Sequence, residues 1–297
     1  MNLLHVDGTI ARDISKFIRQ AETISKVYPM KASNVVNYDE TRVYARDEDL
    51  IRLEHTSKER AQRRGIKGRT IGSLVSFVAA DGSVLMSVWI FKATAAKDDE
   101  NDDMMDAKFI IDEPPKNLRG TWKRYYTYTK SGYSNKVLHA QIMEKFASIW
   151  AEQSESEFCW LFGDQLAAHK SPDTVEKALK NNVMCWLLPA NTSHFLQPLD
   201  DTIFAWFKQE LKMVGKKLGF SHSITPDEIT LALYNAGYKA ERIAFTPCVI
   251  QKAFANTGLW PFNPDRIMEL TKKCWDGGER DQGASYSYNE AICGAYA

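Results

Sequence analysis

The run TIGSLVSFVAADGSVLMSVWIF, residues 70–91, is the feature that most constrains the fold. It is rich in β-branched and aromatic residues and is interrupted at Asp81-Gly82, a dipeptide that favours the tight turn of a hairpin. Two long antiparallel strands are therefore expected, and a sheet has to be built around them. Further strand-like runs are NVVNYDETRVY (34–44), EFCWLFGDQ (157–165) and VMCWLLP (183–189). Segments of helical period separate or follow them. Ile14, Phe17, Ile18, Ala21, Ile24 and Val27 predict an amphipathic helix over 11–27, which Pro29 stops. Residues 133–153 have the same period, and SPDTVEKALKNN (171–182) predicts a short helix capped by Ser171 with Pro172 in its first position. Ile203, Phe204, Phe207, Leu211 and Val214 mark another helix, with two more around 226–236 and 246–257. Strands and helices in this order predict an α/β layered domain.

Composition narrows the class. A hydrophobic share of 44% and a charged share of 26% are those of an ordinary globular chain. Net charge is zero, so any nucleic-acid partner has to be signalled by local clustering. Five cysteines are scattered and never form a CxxC pair, which fits a reducing compartment and argues against structural zinc. No signal peptide and no apolar run of membrane-spanning length is legible. An intracellular protein with no membrane partner is expected.

Asp39 and Asp164 each follow a run of strand-forming residues and are expected where strand gives way to loop, the end at which α/β sheets bind ligands. Asp200 and Asp201 stand where the chain enters the helix marked by Ile203 and Phe204. Carboxylates gathered without an arginine repel one another, and a hard cation such as Mg²⁺ or Mn²⁺ relieves that repulsion. Two such ions suit in-line displacement at phosphorus. Aspartates at such places are also common in turns and caps, and both readings stand at this level. On a uniform α-helix Asp200 shares the apolar stripe with Phe204, Phe207 and Leu211, whereas Asp201 falls on the flank of Lys208 and Lys212.

Several motifs stand in an order that resembles the DDE-type transposases of the mariner/pogo class, in particular the Jerky-like and centromere-binding-protein-like branch. They are NYDET (37–41), AADG (79–82), KSGY (130–133), GDQLAAH (163–169), LPANTSHFLQPLD (188–200) and AFANTGLWPFNPD (253–265). The resemblance runs over roughly residues 30–268. It implies a ribonuclease H-like mixed sheet flanked by helices, with a helical C-terminal portion. It further implies Asp39, Asp164 and Asp200 as catalytic and metal-binding residues, and Mg²⁺ or Mn²⁺, as two ions, as cofactor. The implied reaction is hydrolysis of a DNA phosphodiester followed by attack of the freed 3′-hydroxyl on target DNA. DNA, as transposon ends and target, is the implied partner, with a homodimer among the assemblies it allows and no organic cofactor. For a eukaryotic source the nucleus is the expected location. Gln165 replaces the family's usual asparagine and Tyr133 its usual tryptophan. Members carry helix-turn-helix domains upstream, whereas the residues before Asp39 suffice for one helix. A fragment, or a catalytic domain without its targeting module, is therefore expected. The alternative is a domesticated, non-cleaving DNA-binding or chromatin-associated descendant.

The expected division is an N-terminal helix and linker (1–30), a catalytic domain (31–268) and a flexible tail (269–297). Glu40 and His169 are expected as neighbours of the site. Lys58, Arg60, Arg63, Arg64, Lys67 and Arg69 form a basic cluster suited to DNA phosphates, or else an exposed charged loop. The acidic run KDDENDDMMD (97–106) lacks the pattern of a calcium loop and predicts an exposed loop. WKRYYTYTK (122–130) suits either base stacking or a core strand. His194 reads as structural.

Overall fold

The computed structural model describes residues 3–45, 69–92, 105–106, 116–118, 120–154, 157–164, 172–218 and 226–275. Helix α1 (Leu3–Ser25) leads into β1 (Val35–Ala45), and the hairpin β2 (Arg69–Ala79) and β3 (Val84–Lys92) follows. Gly82 turns the hairpin at φ +99°, a conformation that favours glycine, and Asp81 Oδ1 accepts from Ser83 N–H at 2.8 Å. Short strands β4 (Met105–Asp106), β5 (Lys116–Asn117) and β6 (Gly120–Thr121) precede β7 (Lys123–Thr129). Then come α2 (Lys136–Gln153), β8 (Cys159–Gly163), α3 (Pro172–Lys180) and β9 (Val183–Leu187). The chain closes with α4 (Ser193–Leu196), a π-helical turn (Leu199–Ile203), α5 (Phe204–Leu218), α6 (Pro226–Ala244), α7 (Pro247–Thr257) and α8 (Pro264–Trp275).

The main sheet has the order β4-β7-β3-β2-β1-β8-β9. β2 runs antiparallel to both β1 and β3, while β8 and β9 run parallel to β1. A meander of three strands continued by two parallel ones is the ribonuclease H-like arrangement, here extended past β3 by β7 and β4. Both faces of the sheet are covered, which is why β3 up to Phe91 and all of β8 are buried continuously rather than on alternate residues. On one face Val36, Tyr38, Phe77 and Leu161 pack against Leu138, Phe146 and Trp150 of α2. On the other, Val35, Val78, Trp89 and Phe162 pack against Phe17 of α1, Leu199, Phe207 and the C-terminal helices. The chain from 122 to 129 is thus core strand, with Trp122, Arg124, Tyr125 and Tyr126 buried.

Three expectations need correction. β1 does not end at Asp39. It continues to Ala45 because β2 still pairs with it, Asp39 opposite Ser76. The boundary at 268 cuts through α8, whose Ile267 and Thr271 are both buried. Met105 and Asp106, the end of the acidic run, form a strand on β7 rather than loop. The expected tail beyond 275 and residues 97–104 lie outside the described residues. Helix α1 belongs to the main core, since Ile14, Phe17, Ile18 and Ala21 are buried in it.

Candidate active site

Register places the first two aspartates side by side. The parallel ladder of β1 and β8 ends at Asn37 opposite Phe162. Two residues further along each chain stand Asp39, still inside β1, and Asp164, just past the end of β8. Side chains alternate along a strand, so Asp39 shares a face with Val35 and Val43, the face covered by the C-terminal helices. Glu40 projects to the opposite face. There its carboxylate accepts from Ser73 Oγ and from Ser134 N–H, anchoring the turn before α2.

The third aspartate arrives on the π-helical turn. Thr192 starts the approach, its hydroxyl donating to Pro189 O at 2.6 Å, and the turn closes with Phe204 N–H bonded to Leu199 O. A π turn winds less per residue than an α-helix and recurs at functional sites. The uniform 100° spacing therefore fails here, and Lys208, expected beside Asp201, acts electrostatically on Asp200. The Asp200 carboxylate lies beside that of Asp39, close enough for each to influence the other's titration. Asp201 is turned away and exposed, its Oδ2 accepting from Thr202 Oγ1 at 2.7 Å and from Asn256 Nδ2 at 3.3 Å.

Electrostatics mark the pair. Burial, and next the charge of Asp200, hold the Asp39 carboxyl well above the ordinary carboxylate range; Asp164 adds to this, while the Glu40 backbone and the Gln197 amide oppose it. Burial raises the Asp200 carboxyl as well, against the contact with Asp39 and the positive fields of Lys208 and His194. His194, read as structural from the sequence, thus lies within the field of the site.

Sequence reasoning missed three residues. Asn37 is fully buried, donating through Nδ2 to Phe162 O at 3.0 Å and accepting through Oδ1 from Leu199 N–H at 3.0 Å. Gln197 is also fully buried; its amide faces Asp39, yet neither amide atom makes a hydrogen bond of good geometry. Gly163 is forced, because a Cβ there would overlap the Tyr38 ring. That ring stacks on Phe77 with centroids 5.2 Å apart, and burial pushes its hydroxyl above the usual tyrosine range. Their only sequence signal was adjacency: Asn37 and Tyr38 precede Asp39, Gly163 precedes Asp164, and Gln197 precedes Asp200 by three residues.

The donors present fit a divalent cation. Two carboxylates in contact, a third at the neighbouring strand end and an unsatisfied buried amide form an oxygen-rich set with surplus negative charge. Among the described residues, no three acids, histidines or cysteines are gathered tightly enough to hold an ion as they stand. His169 and the rest of 165–171 lie outside the described residues, as do Lys58, Arg60, Arg63, Arg64 and Lys67, and Arg69 opens β2 with its side chain undescribed. Among the described residues no helix is long and apolar enough to cross a membrane.

Residues 69–218 match the DDE superfamily endonuclease family, a segment that contains Asp164 and Asp200 and begins after Asp39. Among solved structures, the chain is similar to the Mos1 transposase paired-end complex with left transposon end, at 12% identity and a TM-score of 0.40, over 84% of this chain and 62% of that one. It is similar to the catalytic domain of Mos1 mariner transposase at 12% identity and a TM-score of 0.37, over 83% and 94%. For the Mos1 catalytic domain with Raltegravir and Mg the values are 10%, 0.39, 84% and 93%. The chain thus spans 62% of the length of the transposase in the paired-end complexes. No curated protein matches it.

Proposed function

Because the chain belongs to the DDE superfamily endonucleases, we propose that it is a divalent-metal-dependent DNA endonuclease and strand transferase of the mariner/pogo class, in the Jerky-like branch to which its NYDET, KSGY and LPANTSHFLQPLD motifs point. The observation that carries the reading is the contact of Asp39 with Asp200, two carboxylates from distant parts of the chain brought together against their mutual repulsion. Asp39, Asp200 and Asp164 are the residues that would hold Mg²⁺ or Mn²⁺. When bound, a pair of such ions supplies the Lewis acidity that activates an attacking hydroxyl and stabilises the leaving oxygen. The chain's own part is to hold the carboxylates in place, with Gln197 as a buried amide beside Asp39 and with Lys208 and His194 as positive neighbours of Asp200 able to face a phosphate. DNA of transposon ends and target is the substrate in this reading, and the nucleus the location in a eukaryotic cell.

The test is incubation of the purified chain with supercoiled and linear duplex DNA in Mn²⁺ or Mg²⁺. Nicking that a chelator stops, and that Asp39→Ala and Asp200→Ala abolish while Asp201→Ala keeps most of it, is the expected result. Metal-dependent nicking that survives Asp200→Ala contradicts the assignment. DNA binding without any nicking favours the non-cleaving descendant.

A further inference from the structure

We propose that Asn37 is a positioning residue that holds the three carboxylate-bearing elements in register, an inference that rests on the metal reading above. One side chain touches all three elements. It sits on β1 two residues before Asp39 and on the same face. Its Nδ2 donates to the carbonyl of Phe162, two residues before Asp164, and its Oδ1 accepts from the N–H of Leu199, one residue before Asp200. Both bonds are 3.0 Å long and fully buried, so water does not compete for them. Both partners are backbone atoms, so each bond fixes the path of the main chain rather than one rotamer.

The position gives these bonds their consequence. The ladder between β1 and β8 stops at Asn37 opposite Phe162, so beyond that rung no strand pairing among the described residues ties Asp39 to Asp164. The bond to Leu199 is made at the first residue of the π turn, where Gln197 O already receives the N–H groups of Asp200 and Asp201 at 3.1 and 2.9 Å. Losing the side chain frees both junctions at once. The carboxylates then separate under their own repulsion, and the donor set has to be reassembled each time a cation binds.

A second buried asparagine supplies the control. Asn34, at the entrance to β1, accepts from Lys31 N–H at 2.7 Å and donates to Pro29 O at 3.0 Å. Like Asn37 it is buried and bonds only to backbone atoms, but it secures the loop before the strand. The experiment titrates Mn²⁺ into the full chain and reads free Mn²⁺ by electron paramagnetic resonance, well below every melting point. Only binding lost in Asp39→Asn is counted, which removes uptake by acidic loops. Asn37→Ala is expected to weaken that binding tenfold or more, whereas Asn34→Ala stays within twofold of wild type although it too lowers the melting temperature. Equal Mn²⁺ affinity in Asn37→Ala and wild type overturns the positioning role alone. A wild type without Asp39-dependent binding overturns the metal reading and this role with it. Should the alanine variant fail to fold, Asn37→Asp decides: it keeps the volume and the acceptor but loses the donor to Phe162 O. Its added charge alone would tighten cation binding, so weaker binding supports the role and wild-type or tighter binding overturns it.

Discussion

Two clusters of charge lie on the same face of the sheet, one wholly buried and one made of the buried Asp39 and the more exposed Asp200, and the protein neutralises only the first. Arg124 of β7 and Glu241 of α6 form an ion pair at 2.5 Å with both side chains wholly buried. Trp89 Nε1 donates to the same carboxylate oxygen at 2.7 Å, and the guanidinium lies over the rings of Tyr238 and Tyr234 at 4.5 and 4.8 Å. Asp39 and Asp200, by contrast, meet carboxylate to carboxylate, and Lys208 and His194 do not outweigh the burial. The fold can seat an arginine against a buried acid where it pins a helix to the sheet. Where the strand ends and the π turn converge it seats an acid against an acid and an unsatisfied amide. Charge left unpaired in this way destabilises the fold until a cation arrives from solution.

The largest expected effect belongs to the paired cluster. Glu241→Leu strands the Arg124 guanidinium in the core, which costs about 3–5 kcal/mol and lowers the melting temperature on the order of 10 °C. The loss is expected to be the same with and without Mn²⁺, and the double variant Arg124→Met with Glu241→Leu to recover most of it. A loss that Mn²⁺ repairs would break the contrast, because the pair would then be part of the metal site.

The unpaired cluster predicts a pH dependence of the opposite origin. Both Asp39 and Asp200 have folded-state pKa values raised above the unfolded ones, chiefly by burial. Their contribution to stability is therefore complete below the ordinary carboxylate range and is lost as pH rises through the raised values. In chelator, the melting temperature of wild type relative to Asp39→Asn is expected to fall by several degrees from mildly acidic to neutral pH. Mn²⁺ at neutral pH should restore it in wild type alone. A relative melting temperature independent of pH would mean that neither burial nor Asp200 raises the Asp39 carboxyl.

The smallest effect sharpens the choice between adjacent aspartates. Asp201 is exposed and holds Thr202 and Asn256, so Asp201→Ala is expected to cost about 0.5 kcal/mol or less. Its response to metal should equal that of wild type, read as the melting shift on adding Mn²⁺.

Much of this was legible in sequence, for local reasons. Asp81-Gly82 betrayed the hairpin because only a turn tolerates φ > 0 between two β-branched runs, and Asp164 follows directly on Gly163, the last rung of β8 on β9. The continuation of β1 past Asp39 was hidden, since it depends on pairing with β2, a partner distant in sequence. The π turn at Leu199–Ile203 was hidden because its apolar spacing mimics an α-helix closely enough to mislead a 100° extrapolation. WKRYYTYTK suited a base-stacking surface or a core strand, and the acid that settles Arg124 in the core lies 117 residues away. Asn37 signalled only its place beside Asp39, because its partners Phe162 O and Leu199 N–H are backbone atoms of other elements.

The most direct measurement is the melting temperature of the full chain against Mn²⁺ concentration for wild type and for Asp39→Ala, Asp200→Ala and Asp201→Ala. A cation that binds only the folded site stabilises it by mass action, about 2.7 kcal/mol at a hundredfold excess over Kd. Wild type and Asp201→Ala are predicted to rise together as Mn²⁺ reaches millimolar concentration, while Asp39→Ala and Asp200→Ala stay flat. An equal rise in Asp200→Ala, or no rise in wild type, would contradict a metal site built on Asp39, Asp164 and Asp200.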